Sequence, residues 1–197
     1  MSDDADGGRT LGRRHLLAGL VGTGLVGASV VGSGVVDLGG GGSAAVETGA
    51  QGGPNGTRLP LEVTTLDAVG STAGTARVPV TGTPTVIDCF ATWCGPCVEQ
   101  MDALGTVYDR YGDRAAFVSV TSERFGGGLD ADDVRAWWRK HDGRWTLGHD
   151  PESDLLAALG SNGLPYLAVT DGAGSIVWRH GGVASVETLD RQISSVV

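Results

Sequence analysis

A chain of 197 residues with 41% hydrophobic side chains can bury one core of ordinary size and carry appendages, which excludes wholesale disorder. The formal net charge is −9, and from Leu59 onward 10 Lys and Arg stand against 18 Asp and Glu. Such a surface repels phosphate backbones and excludes nucleic acid as the partner. Three cysteines, Cys89, Cys94 and Cys97, are too few for a disulfide framework or a four-cysteine zinc site, so the C-x-x-C reads as a reactive pair.

The N-terminal stretch reads as an address. Arg13-Arg14 is followed by His15-Leu16-Leu17, and Leu16 to Val36 holds no charge but is interrupted by six glycines. Paired Arg ahead of a weakly apolar, small-residue segment resembles a twin-arginine export signal. As a helix those residues would span about 30 Å, so two fates stand side by side: a cleaved signal or a retained membrane anchor. Residues 37–58 are rich in Gly, Ser, Ala and Thr and read as a flexible linker. The organisation expected is therefore signal or anchor over 1–36, linker over 37–58 and a folded domain over 59–197.

Within the domain, Leu59 to Leu66 alternates apolar and polar residues as a half-buried strand does, and Ala76 to Val80 reads as a second short strand. Thr85 to Phe90 is β-branched and aromatic, bounded by Pro84, and reads as a central strand. Val98, Met101, Leu104, Tyr108 and Tyr111 recur at helical spacing, which predicts a helix from about Cys94 to Tyr111. Ala116 to Thr121 is the next strand, followed by a Gly-rich loop and a helix marked by Val134, Trp137 and Trp138. Trp145 to Gly148 reads as a short strand, and Glu152 to Leu159 as a helix ended by Gly160. Tyr166 to Thr170 and Ser175 to Arg179 flank Asp171-Gly172-Ala173-Gly174, a hairpin signal. Ser185 caps a last helix carrying Val186, Leu189 and Ile193. This order predicts an α/β domain: a central mixed sheet flanked by helices, with an N-terminal strand extension.

The chemistry sits where the central strand meets its helix, in Trp93-Cys94-Gly95-Pro96-Cys97. Attack on a disulfide requires a thiolate, and a cysteine at a helix start is offered unpaired N–H groups and the positive end of the helix dipole. Cys97, one turn on, is close enough to resolve a mixed disulfide, so the pair exchanges electrons with no bound cofactor and no metal. Pro96 falls in the first turn, where its missing N–H costs no helix bond.

The block resembles the active site of the thioredoxin superfamily, and the resemblance extends over Leu59 to Val197. It implies the thioredoxin fold, with Cys94 and Cys97 as a catalytic dithiol and redox-active disulfide, and Trp93, Gly95 and Pro96 facing substrate. Gly163-Leu164-Pro165-Tyr166 resembles the cis-proline loop of that superfamily, which presents backbone at Leu164 and Pro165 to a substrate peptide. Tyr166 departs from the Thr usual there and is expected to alter the groove. Asp88 matches a buried carboxylate that assists proton transfer to the resolving cysteine; the alternative is an Asp reaching solvent at a strand edge. Cys89, on the opposite face, reads as core filler. Trp137, Trp138, Trp145 and Trp178 read as core or partner-facing rings, and Glu123, just after a strand, is placed to tune the site.

The strand extension, the added helix over Asp130–His141 and the Asp-Gly hairpin resemble the TlpA/ResA-like exported reductases. That resemblance implies exported protein thiols and disulfides as partners, apocytochrome c among them, and a membrane or thioredoxin-like electron donor. Two other functions on the same fold fit less well. A thiol peroxidase needs a P-x-x-x-T-x-x-C setting that is absent, and a copper-delivery module pairs C-x-x-x-C with a distant His, for which only His180 offers itself.

Overall fold

The computed structural model describes residues 58–197. The expected signal or anchor over 1–36, and the linker up to residue 57, lie outside the described residues. Strands β1 (Leu61–Thr65) and β2 (Gly74–Val78) form the N-terminal extension, and β3 (Thr85–Phe90) leads into α1 (Gly95–Tyr111). After β4 (Ala116–Thr121) come α2 (Ala131–Lys140), β5 (Thr146–His149) and α3 (Asp154–Leu159). The hairpin of β6 (Tyr166–Thr170) and β7 (Ile176–Gly181) precedes α4 (Val186–Ser194).

The seven strands make one mixed sheet in the order β2-β1-β5-β4-β3-β6-β7. The central strands β3, β4 and β5 are parallel, whereas β1 and β6 flank them antiparallel. Strand alternation divides the core in two. Val86 and Phe90 of β3 face a cluster built with Met101, Leu104 and Val107 of α1, Val134 and Trp138 of α2, and Leu189 and Ile193 of α4. Ile87 and Cys89 face the other side, with Val118, Val120, and Leu155 and Leu159 of α3. Each such large side chain, fully buried, contributes about 1.5–3 kcal/mol through removal from water. The expected α/β architecture is the one observed, and Trp137, Trp138 and Trp145 all join the first cluster.

Local chemistry sets the element ends. β2 stops at Val78 rather than Val80, because Pro79 has no N–H to give the ladder. Asp130 caps α2 through a reciprocal box with Asp133, and Ser185 caps α4 by accepting from the Thr188 N–H. α3 begins at Asp154, two residues later than the apolar pattern predicts: its N-cap Ser153 makes no side-chain cap, and Asp150 Oδ2 instead accepts from the Leu155 N–H at 2.8 Å. Gly160 ends that helix at φ 70°, a left-handed turn that glycine adopts without a Cβ penalty. In the β6–β7 hairpin one Asp171 oxygen accepts from the N–H groups of both Ala173 and Ser175.

Candidate active site

β3 lies buried along its whole length and delivers the chain to the C-terminal edge of the parallel strands, where Ala91–Trp93 turns into α1. Cys94 is the N-cap of α1, in extended conformation at φ −86° and ψ 104°, with Pro96 in the first turn. Its Sγ accepts from the Cys97 N–H at 3.2 Å, so a first-turn donor of the helix points at the sulfur. Cys94 and Cys97 are joined as a disulfide, with Cα atoms 5.3 Å apart. Cys94 is 5% exposed and Cys97 1%, so Cys94 is the sulfur a second molecule reaches. Trp93, beside it, is 75% exposed and stands clear of the core.

The antiparallel pairing of β6 with β3 sets Tyr166 opposite Cys89, which brings the start of β6 to the end of the sheet that holds the dithiol. The Leu164–Pro165 bond is cis, as the loop resemblance implies, and Leu164 packs on the cluster containing both cysteines. Neither the N–H nor the C=O of Leu164 has a hydrogen-bond partner among the described residues, whereas Pro165 C=O accepts from Gly182. Tyr166 corrects one expectation. Its ring is buried on the α3 side and its hydroxyl donates to Leu159 C=O at 3.3 Å, so it fills core rather than shaping the groove.

Asp88 is 2% exposed on the face of β3 that carries Phe90, which removes the solvent-reaching alternative. Its Oδ2 accepts from Ser119 Oγ at 2.8 Å across the β3–β4 register, and Ser119 in turn accepts from Trp145 Nε1 at 2.9 Å. Oδ1 has no partner among the described residues. Burial pushes this carboxyl up to about 7, against the opposing pull of the Ser119 hydrogen bond. An acid with that value can both hold and release a proton at neutral pH. Cys89, behind it, is also buried, and desolvation with the nearby Asp88 and Asp150 charges pushes its thiol well above the ordinary range. It is therefore a poor nucleophile.

Two further residues act around the site. Glu123 binds Thr92, two residues before Cys94, through both carboxylate oxygens. Gln100 was not singled out by motif, yet it is 1% exposed and its amide exchanges two hydrogen bonds with the main chain of Ala184, ahead of α4. Its signal in the sequence is a polar residue inside the apolar stripe of Cys97, Met101 and Leu104. His180 stacks on Trp178 at 5.4 Å, with Nε2 beside the Val183 carbonyl.

The Redoxin family matches residues 54–193, well over half of the sequence. The chain belongs to the Redoxin family. This redoxin is 36% identical over 42 residues to "Thioredoxin Y, chloroplastic" of Oryza sativa subsp. japonica, a match covering 21% of its own length and only a quarter of that relative. Among solved structures the redoxin is similar to dsbF of MTB, with TM-score 0.59 and 22% identity over 71% of this chain and 96% of the other. It is similar also to a secreted disulfide oxidoreductase of Mycobacterium tuberculosis, with TM-score 0.57 and 16% identity over 69% and 96%. These structural likenesses establish the thioredoxin-like fold. Family, fold and the Cys94–Cys97 pair place the redoxin among the thioredoxin-like oxidoreductases.

Proposed function

We propose that this redoxin is an exported thiol–disulfide oxidoreductase that reduces protein disulfides through Cys94 and Cys97. The observation that carries the reading is a disulfide at the first turn of α1, with its more exposed sulfur beside an exposed Trp93. In the reduced protein the Cys94 thiolate attacks one sulfur of a substrate disulfide, forming a mixed disulfide and releasing the other sulfur as a thiolate. Cys97 gives its proton to Asp88 and attacks Cys94 Sγ. The second substrate thiol leaves, the Cys94–Cys97 disulfide forms, and two electrons have passed from the redoxin to its substrate. A donor dithiol then reverses the exchange. The unpartnered Leu164 N–H and C=O supply a short ladder for an extended substrate segment around its cysteine. Gly95-Pro96 between the cysteines favours the reductive direction by resemblance, and exported protein disulfides, apocytochrome c among them, are the substrates that resemblance supports.

Exchange of Cys97 for Ser tests the order of events. Cys97→Ser retains the attacking sulfur but lacks the resolving one, so mixed disulfides are expected to accumulate and survive non-reducing electrophoresis. Trapping through Cys89 instead of Cys94 would refute the assignment. Export is tested separately: Arg13→Lys with Arg14→Lys is expected to leave the chain in the cytoplasm, and normal export of that variant removes the twin-arginine reading.

A further inference from the structure

Glu123 is the most heavily bonded side chain near the dithiol, and disulfide exchange itself uses none of its atoms. Its Oε2 accepts from the Thr92 N–H at 2.8 Å and from Thr121 Oγ at 3.0 Å. Its Oε1 accepts from Thr92 Oγ at 2.7 Å. The main chain is tied as well: the Glu123 N–H donates to Thr121 Oγ, and its C=O accepts from His149 Nε2 at 2.8 Å. His149 in turn stacks on Phe125, ring centroids 3.9 Å apart. One residue thus joins the loop after β3 to the C-terminal ends of β4 and β5.

The loop it holds is otherwise bare. Among the described residues, the side-chain hydrogen bonds reaching Ala91–Trp93 come from Glu123 alone. The one main-chain bond there is a turn, Cys94 N–H to Ala91 C=O at 3.1 Å. Among the described residues Trp93 stacks on no other ring, and it is three-quarters exposed, so the backbone that carries it is its main restraint. A carboxylate that binds both donors of Thr92 fixes the Ala91–Thr92 peptide plane and the Thr92 side chain, and so holds the backbone one residue before Trp93. A charged acceptor gives these bonds about twice the strength of neutral ones.

The geometry points to Glu123 as a positioning residue that sets the direction of Trp93 and thereby the affinity for polypeptide disulfides, without touching substrate or sulfur. For its kinetic readout this inference rests on the dithiol-exchange reading. A small disulfide needs only Cys94, whereas a polypeptide must also dock beside Trp93.

The test compares Glu123→Ala, Glu123→Gln and wild type as full chains, with insulin and with dithiobis(nitrobenzoate) as substrates. Glu123→Ala is expected to raise KM for insulin about tenfold, the lower end for losing hydrogen bonds to a charged acceptor. Turnover of the small disulfide should stay within about threefold. Glu123→Gln keeps an acceptor for the Thr92 N–H and a donor toward its hydroxyl, so it should recover most of the insulin KM. An unchanged insulin KM in Glu123→Ala overturns the inference. So does Gln behaving like Ala, which would make charge rather than position the cause. So does equal loss on both substrates, which would place the effect on the sulfur. Fluorine NMR of fluorotryptophan-labelled chains, with Trp93 assigned by Trp93→Phe, decides independently of turnover. The Trp93 resonance alone is expected to shift or broaden in Glu123→Ala, and an unmoved resonance overturns the inference. If wild type reduces neither disulfide, the dithiol reading fails while this resonance still decides the role of Glu123.

Discussion

Cys94→Ser is expected to lower insulin reduction, with dithiothreitol as donor, by about a thousandfold or more, since removing a nucleophile leaves only what binding and surroundings supply. The serine hydroxyl does not ionise near neutral pH and forms no bond to a substrate sulfur, so neither the mixed disulfide nor the resolving step can arise. The control is internal. Cys89→Ala removes the third sulfur, which is buried and held in the protonated state by desolvation and by neighbouring carboxylates. It is expected to leave turnover within about twofold, because a thiol that is neither ionised nor reachable contributes no attack. Undiminished reduction by Cys94→Ser would end the enzymatic assignment. A comparable loss in Cys89→Ala would mean that the core behind β3, rather than the dithiol, governs the rate.

What could be read from the sequence was whatever is decided locally. β3 matches its expected bounds because a β-branched run lies between Pro84 and the turn to the C-x-x-C. The start of α2 was legible in Asp130 and the acidic residues after it, and that of α4 in Ser185. Contacts made across long separations were not. The side-chain acceptor for the first turn of α3 comes from Asp150 rather than from the N-cap Ser153, and the turn closed by the Ser153 N–H on Asp150 C=O brings it into place. Tyr166 reads as a groove residue while its loop is considered alone. It becomes a core residue once pairing with β3 turns its ring toward α3. Alternation put Asp88 and Cys89 on opposite faces, but what covers Asp88 depends on Ser119 and Trp145, which no spacing rule connects to it. Gln100 escaped for a similar reason: its partner, Ala184, lies 84 residues away.

The oxidised redoxin is expected to lose stability as pH rises from about 4 to about 7, by on the order of 4 kcal/mol through Asp88 alone. The direction follows from where the proton sits. Unfolded, this carboxyl titrates near 3.8; folded, burial lifts it to about 7. Between those values the native state holds a proton that the unfolded state has released, so unfolding becomes easier with each step up in pH. Below the window both states are protonated and the full stability is present; above it both are ionised and the loss levels off. Asp109 and Asp190 behave oppositely. Their pKa values are lowered by hydrogen bonds from Arg144 and Arg110, so what they contribute disappears only as pH falls below the ordinary carboxylate range. The two effects therefore occupy different windows. Asp88→Asn cannot ionise, and urea midpoints measured from pH 4 to pH 8 should lose the falling limb that wild type shows. The unpartnered position at Oδ1 would then hold a buried amide, a cost that is the same at every pH and leaves the slope untouched. The same variant should release substrate more slowly by about a hundredfold, the lower range for a positioned acid–base group, with mixed disulfides building up although Cys97 is present. A pH profile identical to wild type would show that the carboxyl is not held neutral. Loss of the falling limb with undiminished turnover would separate its burial from any part in moving the Cys97 proton.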